Sequence, residues 1–123
     1  MDRRITTVLS LIDRDIRRAP RLPALAREAR LSVSRLHELF RQATGACPGA
    51  YIRTRRFEKA RGLLLGTHLS VKEVAEEVGI HDDSHFVRDF ERIYGMSPRS
   101  FRRAHESAPP GNYSTIAKTV PAP

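Results

Sequence analysis

Phe40, Gly45, Pro48 and Tyr51 return as Phe90, Gly95, Pro98 and Phe101, each 50 residues further along the chain. Ser34 and Leu36 return at the same offset as Ser84 and Phe86. Upstream the offset is 49: Leu25, Ala26 and Leu31 return as Val74, Ala75 and Ile80. One residue has therefore been gained or lost in the turn region. Any two amphipathic helices share apolar spacing, but that does not supply a Phe, Gly, Pro, aromatic frame in register. The repeat requires one small unit to be built twice within 123 residues.

The unit reads as a short helix, a tight turn, a second helix, a glycine, a proline and a further helix. Ile5, Val8, Leu9, Ile12 and Ile16 lie on one face at helical spacing, and this first helix is expected to run until Pro20 stops it. Pro23 opens the next helix, where a missing N–H costs nothing. Ser32 is the N-cap of the third, with Leu36, Leu39 and Phe40 inward and Gly45 at its end. A longer helix runs from Pro48 to Leu65, its apolar face written by Ile52, Phe57, Ala60, Leu63 and Leu64. Ser70 and Glu73 form a capping box for the fifth helix, which buries Val71, Val74, Ala75 and Val78. Asp82 caps the sixth, with Phe86, Phe90 and Ile93 inward and Gly95 at its end. Pro98 starts a last short helix through Phe101. No stretch has the alternation and β-branched content of a strand.

The expected fold is all-α, with seven helices in two helix-turn-helix subdomains joined by a long linker helix. The expected boundaries are 1–47, 48–66 for the linker helix, 67–105, and a disordered tail at 106–123. The tail is rich in Pro, Ser, Thr and Ala and low in charge.

Charge narrows the partners. The formal net charge is +8, and Lys59, Lys72 and Lys118 are the only lysines. An arginine excess suits bidentate binding to phosphates and guanine edges. Nucleic acid is the first partner this implies and an anionic membrane surface the second. No apolar stretch is long enough to span a bilayer, and the N-terminus makes a poor signal peptide because Thr6, Thr7, Ser10 and Asp13 interrupt it. The single cysteine, Cys47, excludes an internal disulfide and agrees with a reducing cytoplasm.

A helix, a tight turn and a second helix make the helix-turn-helix unit, whose second helix lies in the DNA major groove. Ala26 and Ala75 let the two helices cross closely. Gly79 permits the turn, and Arg30 holds the equivalent place in the first copy. The outward residues of the second helices are Ser34, Arg35, His37, Glu38 and Arg41, then Asp83, Ser84, His85, Arg88 and Glu91, with Val87 flanking. Arg88 can donate two hydrogen bonds to a guanine or bind a phosphate. His37 can donate to guanine, and Val87 can pack on a thymine methyl. Glu38 accepts from cytosine N4, rejects other bases, or pairs with Arg35 or Arg41. Base contacts are expected from Ser34, His37, Glu38, Arg41, Ser84, His85 and Arg88. Phosphate contacts are expected from Arg35, Arg53, Arg55, Arg56, Lys59, Arg92, Arg99, Arg102 and Arg103, with helix N-termini near Ser32, Asp82 and Ser97 adding backbone donors. Two unlike readers on one chain need an asymmetric site with two major-groove segments about one turn apart.

These residues resemble the DNA-binding domain of the AraC/XylS family, particularly its short stand-alone members. The resemblance rests on Leu36-His37-Glu38-Leu39-Phe40-Arg41, Gly45, Pro48, Tyr51 to Arg56, Ala60, Leu63 and Leu64. In the second half it rests on Val74-Ala75, Val78-Gly79, Ser84, Phe86, Phe90, Tyr94 to Pro98 and Phe101-Arg102. It covers residues 5–104. It implies a bacterial transcription regulator, usually an activator, that binds double-stranded DNA as a monomer and contacts RNA polymerase. It implies no cofactor and a cytoplasmic, nucleoid-associated location. The family's base-contacting positions fall on Ser34, His37, Glu38, Ser84, His85 and Arg88. Ile80, His85, Glu38 and Glu91 depart from the family's usual residues, which leaves the fold intact and puts the operator sequence in question. Most members carry a further sensing or dimerising domain; the expectation here is a stand-alone regulator, with the excised DNA-binding half of a larger one as the alternative.

Three other classes compete: an enzyme, a non-specific architectural DNA binder and a pure protein-interaction module. His81, Asp82, Asp83 and His85 form a dense cluster with metal-ligand chemistry, but Asp82 and Asp83 equally suit a helix start. Cys47 has no partner histidine at a readable spacing. Neither makes an enzyme, so no catalytic or metal residues are expected. A non-specific architectural DNA binder satisfies the composition but leaves paired reading helices unexplained.

Overall fold

The computed structural model describes residues 1–106, and among these it is all-α. The helices are α1 (Arg3–Arg14), α2 (Leu22–Glu28), α3 (Val33–Thr44), α4 (Pro48–Gly66), α5 (Val71–Glu77), α6 (Asp83–Tyr94) and α7 (Pro98–His105). The expected tail lies outside the described residues apart from Glu106, which follows α7.

The first helix is shorter than expected. It ends at Arg14, Asp15 turns away from helical geometry at φ −149°, and a single 3₁₀ turn covers Ile16–Arg18. The Asp15 carboxylate accepts the Arg18 N–H and so restarts the chain. Ile16 still reaches the core, at 7% exposure, because the tighter turn brings it back to the face of Ile12. The last helix is longer than expected, continuing past Phe101 to His105, whose Nδ1 lies 2.7 Å from the Phe101 carbonyl.

The described residues divide into two compact units, one of Met1–Arg56 and one that begins at Phe57. In the first, Ile5, Val8, Ile12 and Ile16 pack with Leu25, Ala26, Ala29, Leu36, Leu39 and Phe40. In the second, Phe57, Ala60 and Leu64 pack with Val74, Ala75, Val78, Phe86, Phe90 and Phe101. Phe57, Ala60 and Leu64 repeat the spacing of Ile5, Val8 and Ile12. The second half of α4 therefore opens its unit as α1 opens the first.

The first turns of α4 have the opposite duty. Tyr51 sets its ring edge against Phe40, with centroids 5.4 Å apart, as Phe101 does against Phe90 at 5.5 Å. This double employment explains the length of α4 and corrects the single apolar face read from its sequence. Ile52 serves the first core and Phe57 the second.

The second core is the more aromatic. Phe57 stacks on Phe86 at 5.6 Å, and Phe86 and Phe90 continue the cluster at 6.0 Å. Full burial of each such ring stabilises its unit by about 1.5–3 kcal/mol. Arginines close the ends of the opening helices. Arg56 donates from Nε to the Ile16 carbonyl at 3.1 Å, and burial lowers its guanidinium pKa. Arg102 donates from Nε to the Leu64 carbonyl at 3.0 Å and from Nη2 to Thr67 at 3.4 Å. Arg55 meets the Asp13 carboxylate at 3.2 Å.

Candidate nucleic-acid interface

Each unit joins its first two repeat helices through the same backbone device. In the first, Arg30 N–H donates to the Arg27 carbonyl and Leu31 N–H to Ala26, at 3.1 and 2.8 Å. In the second, Gly79 N–H donates to Glu76 and Ile80 N–H to Ala75, at 3.0 and 2.9 Å. This paired closure requires a left-handed residue just past the helix end. Gly79 fills that place at φ 84° and Arg30 at φ 57°, the one non-glycine with positive φ among the described residues. The second helix then starts at once on a side-chain cap. Ser32 Oγ accepts Arg35 N–H at 3.1 Å, and Asp82 Oδ1 accepts His85 N–H at 3.0 Å. One residue, Leu31, lies between Arg30 and its cap, and two, Ile80 and His81, lie between Gly79 and its own, so His81 is the extra residue behind the change of offset.

Beyond the caps the copies coincide. Each residue from 32 to 50 has the same burial class as its counterpart in 82–100. Gly45 and Gly95 close α3 and α6 at φ 80° and 82° with equal 2.8 Å bonds to Arg41 and Glu91. Pro48 and Pro98 are buried at the start of the next helix.

The frame fixes which side chains face solvent. On α3, Ser34, Arg35, Glu38 and Arg41 are exposed and His37 is half-buried. Glu38 lies 2.7 Å from Arg35, so of the fates open to it from sequence it has the pairing one in the free chain. Both side chains are about half exposed, and such a pair contributes about 0–1 kcal/mol, little enough to yield to a better partner. On α6, Ser84, His85 and Arg88 are exposed and Val87 is half-buried.

The expected phosphate-contacting residues have different surroundings. Arg55, Arg56 and Arg102 already bond protein groups, and Arg102 lines a groove together with Arg99, Arg103, Glu106, Val87 and Pro98. Ser97 Oγ caps α7 there by accepting Ser100 N–H at 3.1 Å. Arg53 and Lys59 are exposed on α4, and Arg92 is exposed on α6, 3.6 Å from Asp89.

Asp89 is the residue that sequence reasoning missed. It is the one buried charged residue among those described, at 7% exposure, and occupies the place that Leu39 holds in the first copy. His85 Nε2 meets its Oδ2 at 3.2 Å. The signal was present in the repeat: an acid at a position whose counterpart is apolar. Asp82 and His85 are thus engaged in capping and pairing, and no group of three or more His, Cys, Asp or Glu among the described residues is arranged to hold a metal ion. Among the same residues no helix is long and apolar enough to cross a membrane.

Two units of one frame, each presenting a solvent-facing second helix after a capped left-handed turn, define the helix-turn-helix class. The comparisons with known proteins narrow it. A family profile described as a helix-turn-helix domain matches residues 25–104. The HTH-type transcriptional activator RhaS of Salmonella arizonae is 37% identical over 86 residues, 70% of this chain and 31% of RhaS. The DNA-binding domain of AdpA, a global transcriptional factor solved in complex with a target DNA, matches with a TM-score of 0.82. Identity there is 26%, covering 89% of this chain and 99% of that one. An AraC-type transcriptional regulator from Chromobacterium violaceum matches with a TM-score of 0.78 at 26% identity, covering 86% of this chain and 94% of that one. The chain belongs to the AraC/XylS family of helix-turn-helix DNA-binding transcriptional regulators. It spans about a third of the length of the curated relatives it matches.

Proposed function

We propose that this chain is a sequence-specific transcription activator. It lays α3 and α6 into successive major-groove segments of an asymmetric promoter site, as a monomer, and contacts RNA polymerase there. The observation that carries the reading is the shared frame of 32–50 and 82–100, which presents different solvent-facing side chains in each copy. The names of its relatives support it: RhaS is a transcriptional activator, and the AdpA domain was solved on its target DNA.

In this reading Ser34, His37, Glu38 and Arg41 face bases from α3, and Ser84, His85 and Arg88 from α6. Arg88 has no ion-pair or hydrogen-bond partner for its side chain among the described residues, which leaves its five donors for a guanine edge. Glu38 leaves Arg35 for a cytosine amino group, freeing Arg35 for a phosphate. Arg53, Lys59, Arg92, Arg99 and Arg103 supply further phosphate contacts. Arg53, Arg55, Arg56, Arg92 and Arg102 reach phosphate only through the donors that their protein contacts leave over. The protein works in the cytoplasm, on the nucleoid.

Selection of binding sites from random duplex DNA at near-physiological salt tests this. An asymmetric motif in two blocks about one helical turn apart is the expected result. A palindrome overturns the monomer reading. Binding without enrichment, abolished by salt, overturns sequence-specific recognition and leaves the architectural alternative.

A further inference from the structure

The buried Asp89 has no part in the reading above, and its counterpart Leu39 shows that the frame does not need a charge there. A carboxylate in that place has to be compensated. Two exposed side chains of the same helix approach it, His85 one turn before and Arg92 three residues after, at 3.2 and 3.6 Å. His85 is itself 62% exposed, so its ring spans from the buried acid to the open face of α6.

We infer that Asp89 is a specificity-determining residue that acts through His85, by fixing which ring nitrogen carries the proton. The proposal rests on the reading of α6 as a base-contacting helix. A carboxylate only accepts, so Nε2 must donate to it. In the neutral ring the proton is then on Nε2, and Nδ1 is left as an acceptor. An acceptor on the reading face selects a base that donates into the major groove. Those are cytosine, through its N4 amino group, and adenine, through N6. The equivalent residue of the first copy, Arg35, is a donor only. Arg35 goes to a phosphate in the reading above, so α6 alone asks for a donating base from this place in the frame. Asp89 is a positioning residue: it orients the ring and sets the tautomer without meeting DNA.

Two measurements test this near pH 8. Nitrogen-15 NMR of the free protein is expected to show His85 as the Nε2–H tautomer. In Asp89→Leu, which installs the side chain the first copy carries, it is expected to show a mixture. Site selection is then run on the wild type, on Asp89→Leu and on His85→Ala with and without Asp89→Leu. One position of the wild-type motif is expected to favour cytosine or adenine. That preference is expected to fall about fivefold in Asp89→Leu, the scale of one net hydrogen bond, with the other positions unchanged. In the His85→Ala background Asp89→Leu is expected to change nothing at that position. An Nδ1–H tautomer in the wild type overturns the proposal, as does an Asp89→Leu motif identical to the wild type. Asp89→Ala, which also removes the acceptor, replaces the leucine variant if that one melts early. No motif from the wild type sinks the DNA-reading proposal instead, a result distinct from either.

Discussion

Replacing Arg30 by glycine should stabilise the first unit although no side-chain interaction is gained. Arg30 is held at φ 57° by the turn between α2 and α3, where its N–H closes on Arg27 at 3.1 Å. A left-handed conformation costs a residue with a Cβ about 1–2 kcal/mol. Glycine removes that cost but gives the unfolded chain more freedom, which returns about 0.4–1 kcal/mol. The Arg30 side chain is exposed and has no partner among the described residues, so its removal subtracts little. The net expectation is a gain of about 0.5–1 kcal/mol. Urea unfolding followed by circular dichroism without DNA reads it as a midpoint shift of about 0.5 M at unchanged slope, for a slope near 1–2 kcal/mol/M. Gly79→Ala makes the mirror test at φ 84°, with an expected loss of similar size. If Arg30→Gly leaves the midpoint where it was or lowers it, with the slope unchanged, then the turn is not strained and the argument from the left-handed residue fails.

Other perturbations separate reading, docking and folding. Arg88→Ala is expected to weaken the selected site by about 1–3 kcal/mol and random DNA far less, measured by anisotropy titration on both duplexes. Arg99→Ala and Arg103→Ala are each expected to weaken all sequences alike and reduce the salt slope by about one. Arg102→Ala should also lower the melting temperature, because the Leu64 and Thr67 carbonyls lose their donor. Acid should weaken both units in the same direction. Asp2 is held at about 2 by the Arg4 side chain and then its N–H, and Glu73 below its usual value by the Ser70 N–H and then hydroxyl. Both pKa values are depressed on folding, so their stabilisation is complete above the unfolded carboxylate range and fades as pH falls through the folded values. Asp2→Asn and Glu73→Gln are expected to flatten melting curves recorded from pH 5 down to about 2, and an unchanged pH dependence in both refutes the assignment.

Most of the frame was legible in the sequence because its signals are local. Ser32, Ser70 and Asp82 cap where their side chains reach the next N–H groups, and Gly45 and Gly95 stop helices by adopting positive φ. The misjudged ends share a cause. The break at Asp15 depends on a backbone excursion that the apolar spacing of Ile12 and Ile16 conceals, and the extension of α7 to His105 lies past its last apolar residue. The two faces of α4 were hidden because one unbroken helix serves two cores, which periodicity averages into one. Solvent-facing residues of α3 and α6 followed from the apolar period. Their engagements did not: the Arg35–Glu38 pair, the Arg102 bonds to carbonyls and the buried Asp89 all depend on where a long or charged side chain settles.

The two copies differ in a way that bears on the operator. Inside the frame they agree, with Leu36 against Phe86, Phe40 against Phe90 and Pro48 against Pro98 all buried. Outside it they oppose each other: Glu38 stands where the second copy has Arg88, and Arg41 where it has Glu91. A carboxylate accepts from cytosine N4, whereas a guanidinium donates to guanine O6 and N7. If α3 and α6 enter their grooves alike, equivalent positions demand different bases, and no palindrome satisfies both. Asp89 is the one buried place where the frame itself is broken, and it adjoins the reading face through His85. Departures from local consistency concentrate where function needs them. The asymmetric site proposed above would follow from the side chains that each copy presents, and exchanging Glu38 and Arg41 for Arg and Glu should move the first half of the selected motif toward the second.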